Sequence, residues 1–404
     1  MIGQNYINGE FVSSASNFTF DNIDPCTEES LGSFAIATTQ EVDEAYDVAR
    51  KTFHSWREVS RVERGEYLYE VAKLIEERRE QLARAISMET GKNYNESIAE
   101  VNEALHMAQY AFSSARTPQG EAIASEIALK DAYMLRKPKG VVAIISPWNF
   151  PLAIGAFWCL APTIVEGNTA ILKPSEDAPY SSQLAVEIYH DAGIPPGVIN
   201  LVHGDGTVGD YLARKDVDHI CFTGSAEVGQ HIRHVCADSW HKTCSCEMGS
   251  KSAVIVFEDA NFDLAVSSAV ASAFKLSGQR CVSSGRLIVQ RSIYDKFCED
   301  FTHYAKQITA GPPFLDDSPL TQAQPNSNAY MGPLINTQQL NRVLGFNDIV
   351  MKDNEAEVLI EPKYTPPGYF VSPLVYKTEW RDAPYLTNEV FGPHVSLIPF
   401  DDIS

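Results

Sequence analysis

Positive charge is scarce in this sequence. Its 404 residues hold 32 Lys and Arg against 53 Asp and Glu, a formal net charge of -21. Phosphate backbones need a basic face, so a general nucleic-acid binder is excluded. A cysteine framework is also missing: the eight cysteines, at 26, 159, 221, 236, 244, 246, 281 and 298, follow no regular spacing. That suits reduced thiols in a cytoplasmic protein better than a secreted disulfide scaffold. Cys244 and Cys246 form a C-x-C pair, but no second Cys or His pair stands at zinc-finger spacing, and no metal site is expected. The polar stretch Met1–Phe11 does not read as a secretory signal, so the sequons at Asn17 and Asn95 carry no weight. No charge occurs between Val141 and Val165, yet Pro147, Asn149, Pro151 and Pro162 break the run. A buried strand, a turn and a helix are expected there rather than a membrane span.

What is present is an ordinary globular composition, 44% hydrophobic and 21% charged, in a chain long enough for two cores. After a short strand-like entry, apolar residues recur at helical spacing: Val42, Ala45, Tyr46, Ala49, Phe53 and Trp56, then Leu68, Val71, Ala72 and Ile75. From Glu121 to Lys137 the pattern shortens to that of a hairpin, which reads equally well as an oligomerisation arm or as an ordinary surface hairpin. Beyond Gly140, strand-like runs (141–146, 170–172, 198–202, 219–222) alternate with helical ones (181–192, 226–236). The alternation resumes with 253–257, a helix around 264–276 and a strand at 286–290. Strands separated by helices pair in parallel, so an α/β protein with two Rossmann-like open-sheet domains is expected.

Several stretches suggest chemistry. Gly204 to Gly209 matches G-x-G-x-x-G after a strand, without a convincing acidic ribose partner. Phe222-Thr223-Gly224-Ser225 is the better phosphate candidate, since it links a strand to a helix whose N-H groups would face an anion; a plain Ser helix cap is the bland reading. Glu247 lies among small and apolar residues, so it is expected to be partly buried, which suits a general base. Cys281 follows a helical run and a glycine and precedes a strand, a junction where a thiol can be exposed as a nucleophile.

In order along the chain, Ile145-Ser146-Pro147-Trp148-Asn149-Phe150-Pro151, Lys173-Pro174-Ser175-Glu176, Phe222 to Ser225, Glu247-Met248-Gly249, Gly278-Gln279-Arg280-Cys281, Met331 to Ile335 and Asn388 to Pro393 resemble the aldehyde dehydrogenase superfamily. The resemblance implies oxidation of an aldehyde to an acid through a thioester. Cys281 would be the nucleophile, Asn149 with the Cys281 backbone N-H the oxyanion donors, and Glu247 the base that activates water, which favours the hydrolytic over the coenzyme A-acylating branch. It further implies that NAD, rather than NADP, lies against Lys173 and Glu176 at the adenosine ribose, Ser225 at the pyrophosphate, Glu389 and Phe391 at the nicotinamide end, with Trp148 and Gly224 lining the cleft.

The division implied is a cofactor domain of residues 1–119 and 138–247, an oligomerisation hairpin at 120–137 and a catalytic domain at 248–404, in a homodimer or homotetramer. Phe150 and Lys275 are candidates for the substrate mouth, where Lys275 would suit a semialdehyde carrying a distal carboxylate. Met248 and Ser250 depart from the family pattern, Trp158 stands where many members have Lys, and Gly311–Tyr330 reads as a surface insertion. Members continue beyond Ser404, so a shortened or catalytically silent homologue with a structural or cofactor-binding role stays open.

Overall fold

The computed structural model describes residues 3–315 and 323–402. Residues 316–322, within the expected insertion, therefore lie outside the described residues. The chain forms two compact units, each with its own open sheet.

The first unit runs to Asn22 and includes Gly32–Ala83 and Ile98–Glu247. Its seven-stranded sheet has the order Thr243–Met248, His219–Gly224, Val141–Ile145, Thr169–Lys173, Ile199–Leu201, Asn5–Ile7, Glu10–Val12. From His219–Gly224 to Ile199–Leu201 the pairing is parallel, and Asn5–Ile7 joins antiparallel. Val141–Ile145 and Thr169–Lys173 are buried at every position, as strands covered on both faces must be. The chain builds outward from Val141–Ile145 to one side, then returns with His219–Gly224 on the other. The crevice at the carboxyl ends of those two strands is thus a topological switch point.

Helix Thr39–Trp56 covers this sheet with Val42, Ala45, Ala49, Phe53 and Trp56, the expected face less Tyr46. Tyr46 instead reaches out to the carbonyl of Asp216 at 3.0 Å. Thr38 and Glu41 close the helix start as a reciprocal capping box. The expected hairpin is formed by Gly120–Ile123 paired antiparallel with Ala132–Leu135 as a separate small sheet.

The second unit takes Ile23–Leu31, Arg84–Ser97 and the chain from Met248 on. Its sheet has the order Ser252–Val256, Ser284–Gln290, His394–Phe400, Leu374–Lys377, Glu357–Ile360, parallel except for the last strand. Helix Phe262–Phe274 and helix Arg291–Ala305 pack on it through Val266, Ala269, Phe274, Phe297 and Phe301. Position 247 ends the first unit, but two segments from the amino-terminal third also belong to the second. Gly91 packs on Pro333, Arg84 donates to the carbonyl of Ala323 (2.9 Å), and Glu96 accepts from the N-H of Leu276 (2.9 Å). Such long-range contacts leave no trace in local periodicity.

Candidate active site

In the first unit, three groups of candidate residues sit at or just past the carboxyl ends of parallel strands. Trp148, Asn149 and Phe150 follow Val141–Ile145, Lys173 and Glu176 close Thr169–Lys173, and Gly224 and Ser225 end His219–Gly224. Asn149 is buried, while Trp148 and Phe150 are half-buried. The turn they occupy is fixed from behind by buried Glu100, whose Oε1 accepts from the N-H groups of Leu152 and Ala153 at 2.9 and 3.0 Å. Those are the otherwise orphaned donors at the start of a helical segment. Glu100 stands in a helical run with no motif around it, so the sequence carried no signal for this support.

Lys173 is buried and its ammonium donates to the carbonyls of Gly204 (2.7 Å) and Asp205 (3.3 Å), with the Glu176 carboxylate 3.5 Å away. Burial pushes its pKa down, and Glu176 and the nearby aspartates push the other way. Glu176 keeps much of its side chain exposed, so its carboxylate faces solvent. The G-x-G-x-x-G stretch does open a helix, Gly206–Arg214, but Asp205 caps it and accepts from the N-H of Thr207 at 2.9 Å. A carboxylate already on the helix end leaves this turn poorly suited to a phosphate.

At the other turn, Ser225 accepts from the N-H of Val228 (3.3 Å) and so caps the helix Ala226–Ala237. The first turn of that helix is exposed. Gly224 has little freedom to carry a side chain, because a Cβ there would meet the Phe222 ring at 2.6 Å.

Glu247 corrects the expectation of partial burial: it is exposed. It lies on Thr243–Met248, the edge strand of the sheet, where burial alternates and positions 243, 245 and 247 face outward. The flanking Cys246 and Met248 take the inner face, so small and apolar neighbours did not signify a buried carboxylate.

In the second unit the thiol of Cys281 is half-buried, between the short helical turn Lys275–Gly278 and the strand Ser284–Gln290. The helix expected to run to Leu276 stops at Phe274. Leu276, Ser277 and Gly278 then take consecutive left-handed conformations, with φ of 52°, 54° and 72°. Two non-glycine residues in that region need support from outside. It comes from Glu96 on the Leu276 N-H, from the Ser277 hydroxyl donating to the Gly332 carbonyl (2.6 Å), and from Gln279. The Gln279 amide donates to Pro333 O (3.1 Å) and accepts from Ile335 N (3.0 Å). Glu96 is half-buried with one carboxylate oxygen shut off from solvent, and desolvation raises its pKa against the pull of Lys92 and Arg280. In the sequence it was part of an unweighted sequon.

Gly278 is required for a second reason: a Cβ would lie 2.1 Å from the carbonyl oxygen of Gly392. This contact sets the cysteine loop directly against the loop of Glu389 and Phe391, and the two line one cleft with Lys251, Arg280 and His394. Glu389 accepts from the N-H of Ser250 (3.1 Å), and burial raises its pKa. Burial lowers that of Lys251 to about 8, helped by Arg286. Phe391 has φ of 58°, and its carbonyl is held by the Gln339 amide at 2.6 Å. Lys275 is exposed beside the same turn.

The described residues contain no group of three or more His, Cys, Asp and Glu placed to hold a metal ion. None of their helices is long and apolar enough to cross a membrane.

The model of the aldehyde dehydrogenase family matches residues 11–404. The chain belongs to the aldehyde dehydrogenase family. Alpha-ketoglutaric semialdehyde dehydrogenase of Bacillus subtilis is 34% identical, over 99% of this chain and 80% of the relative. D-glyceraldehyde dehydrogenase (NADP(+)) of Picrophilus torridus is 33% identical, over 96% and 77%. Among solved structures, betaine aldehyde dehydrogenase from Staphylococcus aureus in complex with NAD+ superposes with a TM-score of 0.91 at 32% identity, covering 99% of this chain and 78% of that one. The chain thus spans about four fifths of these relatives. It is an NAD(P)-dependent aldehyde dehydrogenase with the family's α/β fold and Rossmann-like sheets, and its substrates are small aldehydes.

Proposed function

We propose that this dehydrogenase oxidises an aldehyde to a carboxylic acid through a covalent intermediate on Cys281, in the hydrolytic manner. The Cys281 sulfur attacks the carbonyl carbon as thiolate, and the side-chain amide of Asn149 with the Cys281 backbone N-H holds the oxyanion of the thiohemiacetal. The bound nicotinamide supplies the hydride acceptor that turns the thiohemiacetal into a thioester. Glu247 then takes a proton from a water molecule, which attacks the thioester carbonyl and releases the acid and the Cys281 thiol. An exposed Glu247 on an edge strand is in reach of water, as a base needs. The observation that carries this reading is the braced left-handed turn before Cys281, since strained backbone of this kind is held only where its surroundings over-determine it.

The residues present fit a dinucleotide. In the first unit the switch-point crevice and the exposed helix start behind Ser225 offer a turn for the pyrophosphate; in the second, half-buried Glu389 beside Phe391 offers an acceptor for ribose hydroxyls. Trp148, Gly224, Lys173 and Glu176 would line the crevice of the first unit, residues 1–119 and 138–247 serving the cofactor and 248–404 the chemistry. The Glu176 carboxylate would repel a 2′-phosphate, which favours NAD over NADP; Glu176→Gln should raise kcat/KM with NADP, and no change would contradict the assignment.

For the substrate, exposed Lys275 supports an acidic semialdehyde, with half-buried Phe150 a further candidate at the substrate mouth. Comparing kcat/KM for a semialdehyde acid and an uncharged aldehyde of equal length tests this. A preference for the acid that disappears in Lys275→Ala is expected, and a preference that survives would contradict it. The hairpin 120–137 is proposed as an oligomerisation element of a cytoplasmic homo-oligomer, because Ile123, Ile127, Leu129, Tyr133 and Leu135 are all exposed on it.

A further inference from the structure

Helix Tyr94–Ser114 starts in the segment Arg84–Ser97, the part of the amino-terminal third that belongs to the second unit. Its start is tied to the loop that also holds Ser277 and Gln279. The Asn93 side chain accepts from the N-H of Asn95 (2.9 Å) and donates to the carbonyl of Ala329. Two residues earlier, Gly91 lies so close to Gly332 and Pro333 that neither glycine has room for a Cβ. Glu96 therefore stands at a fixed place on the first turn of the helix. From there its Oε1 accepts from the N-H of Leu276 at 2.9 Å.

That bond replaces one that helix Phe262–Phe274 gives up. Were the helix to continue, the Leu276 N-H would donate to the carbonyl of Ser272, four residues back. Left-handed backbone at Leu276 and Ser277, with φ of 52° and 54° and ψ of 34° and 32°, takes the donor away from that acceptor. Both halves of the broken pair find other partners. Glu96 takes the Leu276 N-H, while the guanidinium of Arg280, next to Cys281 in the chain, donates to the carbonyls of Ser272 (3.4 Å) and Ala271 (3.1 Å). The second oxygen of Glu96, Oε2, is shut off from solvent and has no hydrogen-bond partner. The carboxylate is thus placed for its single bond to Leu276, although a buried unpaired oxygen opposes folding.

We propose that Glu96 is a positioning residue for Cys281: its Oε1 holds the turn at Leu276 and Ser277 left-handed and so sets where the thiol stands. This rests on Cys281 being the nucleophile. What the turn requires is an acceptor oxygen at the reach of a Glu side chain, whatever its charge. Side chains with a Cβ disfavour left-handed backbone, so the turn does not hold itself. Without that oxygen the Leu276 N-H returns to the Ser272 carbonyl, Leu276 relaxes to right-handed backbone, and Cys281 shifts with it.

Two variants separate reach from charge. Glu96→Gln keeps an oxygen at the same distance and loses the charge, whereas Glu96→Asp keeps the charge on a side chain one methylene shorter. Each whole chain is followed by turnover with NAD and an aldehyde, and by hydrogen–deuterium exchange of peptides containing Leu276. Glu96→Gln should retain the wild-type kcat and the slow exchange. Glu96→Asp should lose kcat by roughly 100-fold, the loss expected for a displacement near 1 Å. Its KM for NAD should stay unchanged, and its faster exchange should be confined to peptides around Leu276. Should Glu96→Asp fail to fold, Glu96→Gln alone decides. A loss of kcat in Glu96→Gln, wild-type kcat in Glu96→Asp, or a loss there without faster exchange would overturn the assignment. Exchange at Leu276 reads the hydrogen bond whether or not Cys281 is the nucleophile; turnover retained in Cys281→Ser would instead remove the reading on which the role rests.

Discussion

At the scale of single residues, one carboxylate and two histidines carry testable consequences. Glu247→Gln removes the proposed base but leaves Cys281 and the oxyanion donors in place. A first turnover of NADH should survive, while steady-state turnover falls by roughly 10²–10⁴-fold; rapid-mixing absorbance separates the two phases. His203 is buried, and burial together with the Lys173 charge lowers its pKa from 6.5 to about 3. The folded chain therefore keeps a neutral imidazole while the unfolded chain takes up a proton as pH falls below 6.5. Its contribution to stability is fully present above that pH and is lost as pH falls toward 3, by roughly 1.4 kcal/mol per unit over the window. His394, buried between Asn347 and Tyr376, acts in the same direction. Urea midpoints between pH 7.5 and 5 should drop more steeply for the wild type than for His203→Gln, and parallel slopes would contradict the assignment.

At the scale of elements, the cysteine turn depends on close approach as much as on hydrogen bonds. Gly278→Ala places a methyl group against the Gly392 carbonyl and strains a residue with φ of 72°. The cysteine loop must move, and a displacement near 1 Å should lower kcat by roughly 100-fold. The turn's backbone was not legible in the sequence, where the run through Leu276 reads as continuous helix. What ends the helix is tertiary, namely Glu96 and the loop Met331–Ile335 capturing Leu276, Ser277 and Gln279. By contrast the parallel strands were readable within one or two residues, because strands buried on both faces show as short apolar runs. Helix Thr39–Trp56 was readable too, through its period. Its capping box gives a direct check: Thr38→Ala should cost about 1 kcal/mol of stability, measured by chemical denaturation.

At the scale of the whole molecule, the order of motifs along the chain disclosed the family, whereas the division into units was only half visible. The boundary after Glu247 coincides with a change of sheet, but the assignment of Ile23–Leu31 and Arg84–Ser97 depends on contacts hundreds of residues away in sequence. Burial was misread for Glu247 for a related reason, since neighbours in sequence do not disclose that a strand lies at a sheet edge. The exposed hairpin belongs to this scale as well. Replacing Leu129 and Leu135 by Lys should shift the sedimentation coefficient toward the monomer while leaving the fold intact, and an unchanged coefficient would remove the hairpin from the assembly.

The central claim is that Cys281 carries the acyl group and Glu247 frees it. Mixing the Glu247→Gln chain with NAD and an aldehyde substrate, quenching in acid and mapping the peptides by mass spectrometry tests this most directly. The expected product is an acyl group on the peptide containing Cys281, formed in step with the first turnover of NADH and missing when NAD is omitted. Undiminished steady-state turnover with no acyl group at Cys281, or an acyl group on another cysteine, would contradict it.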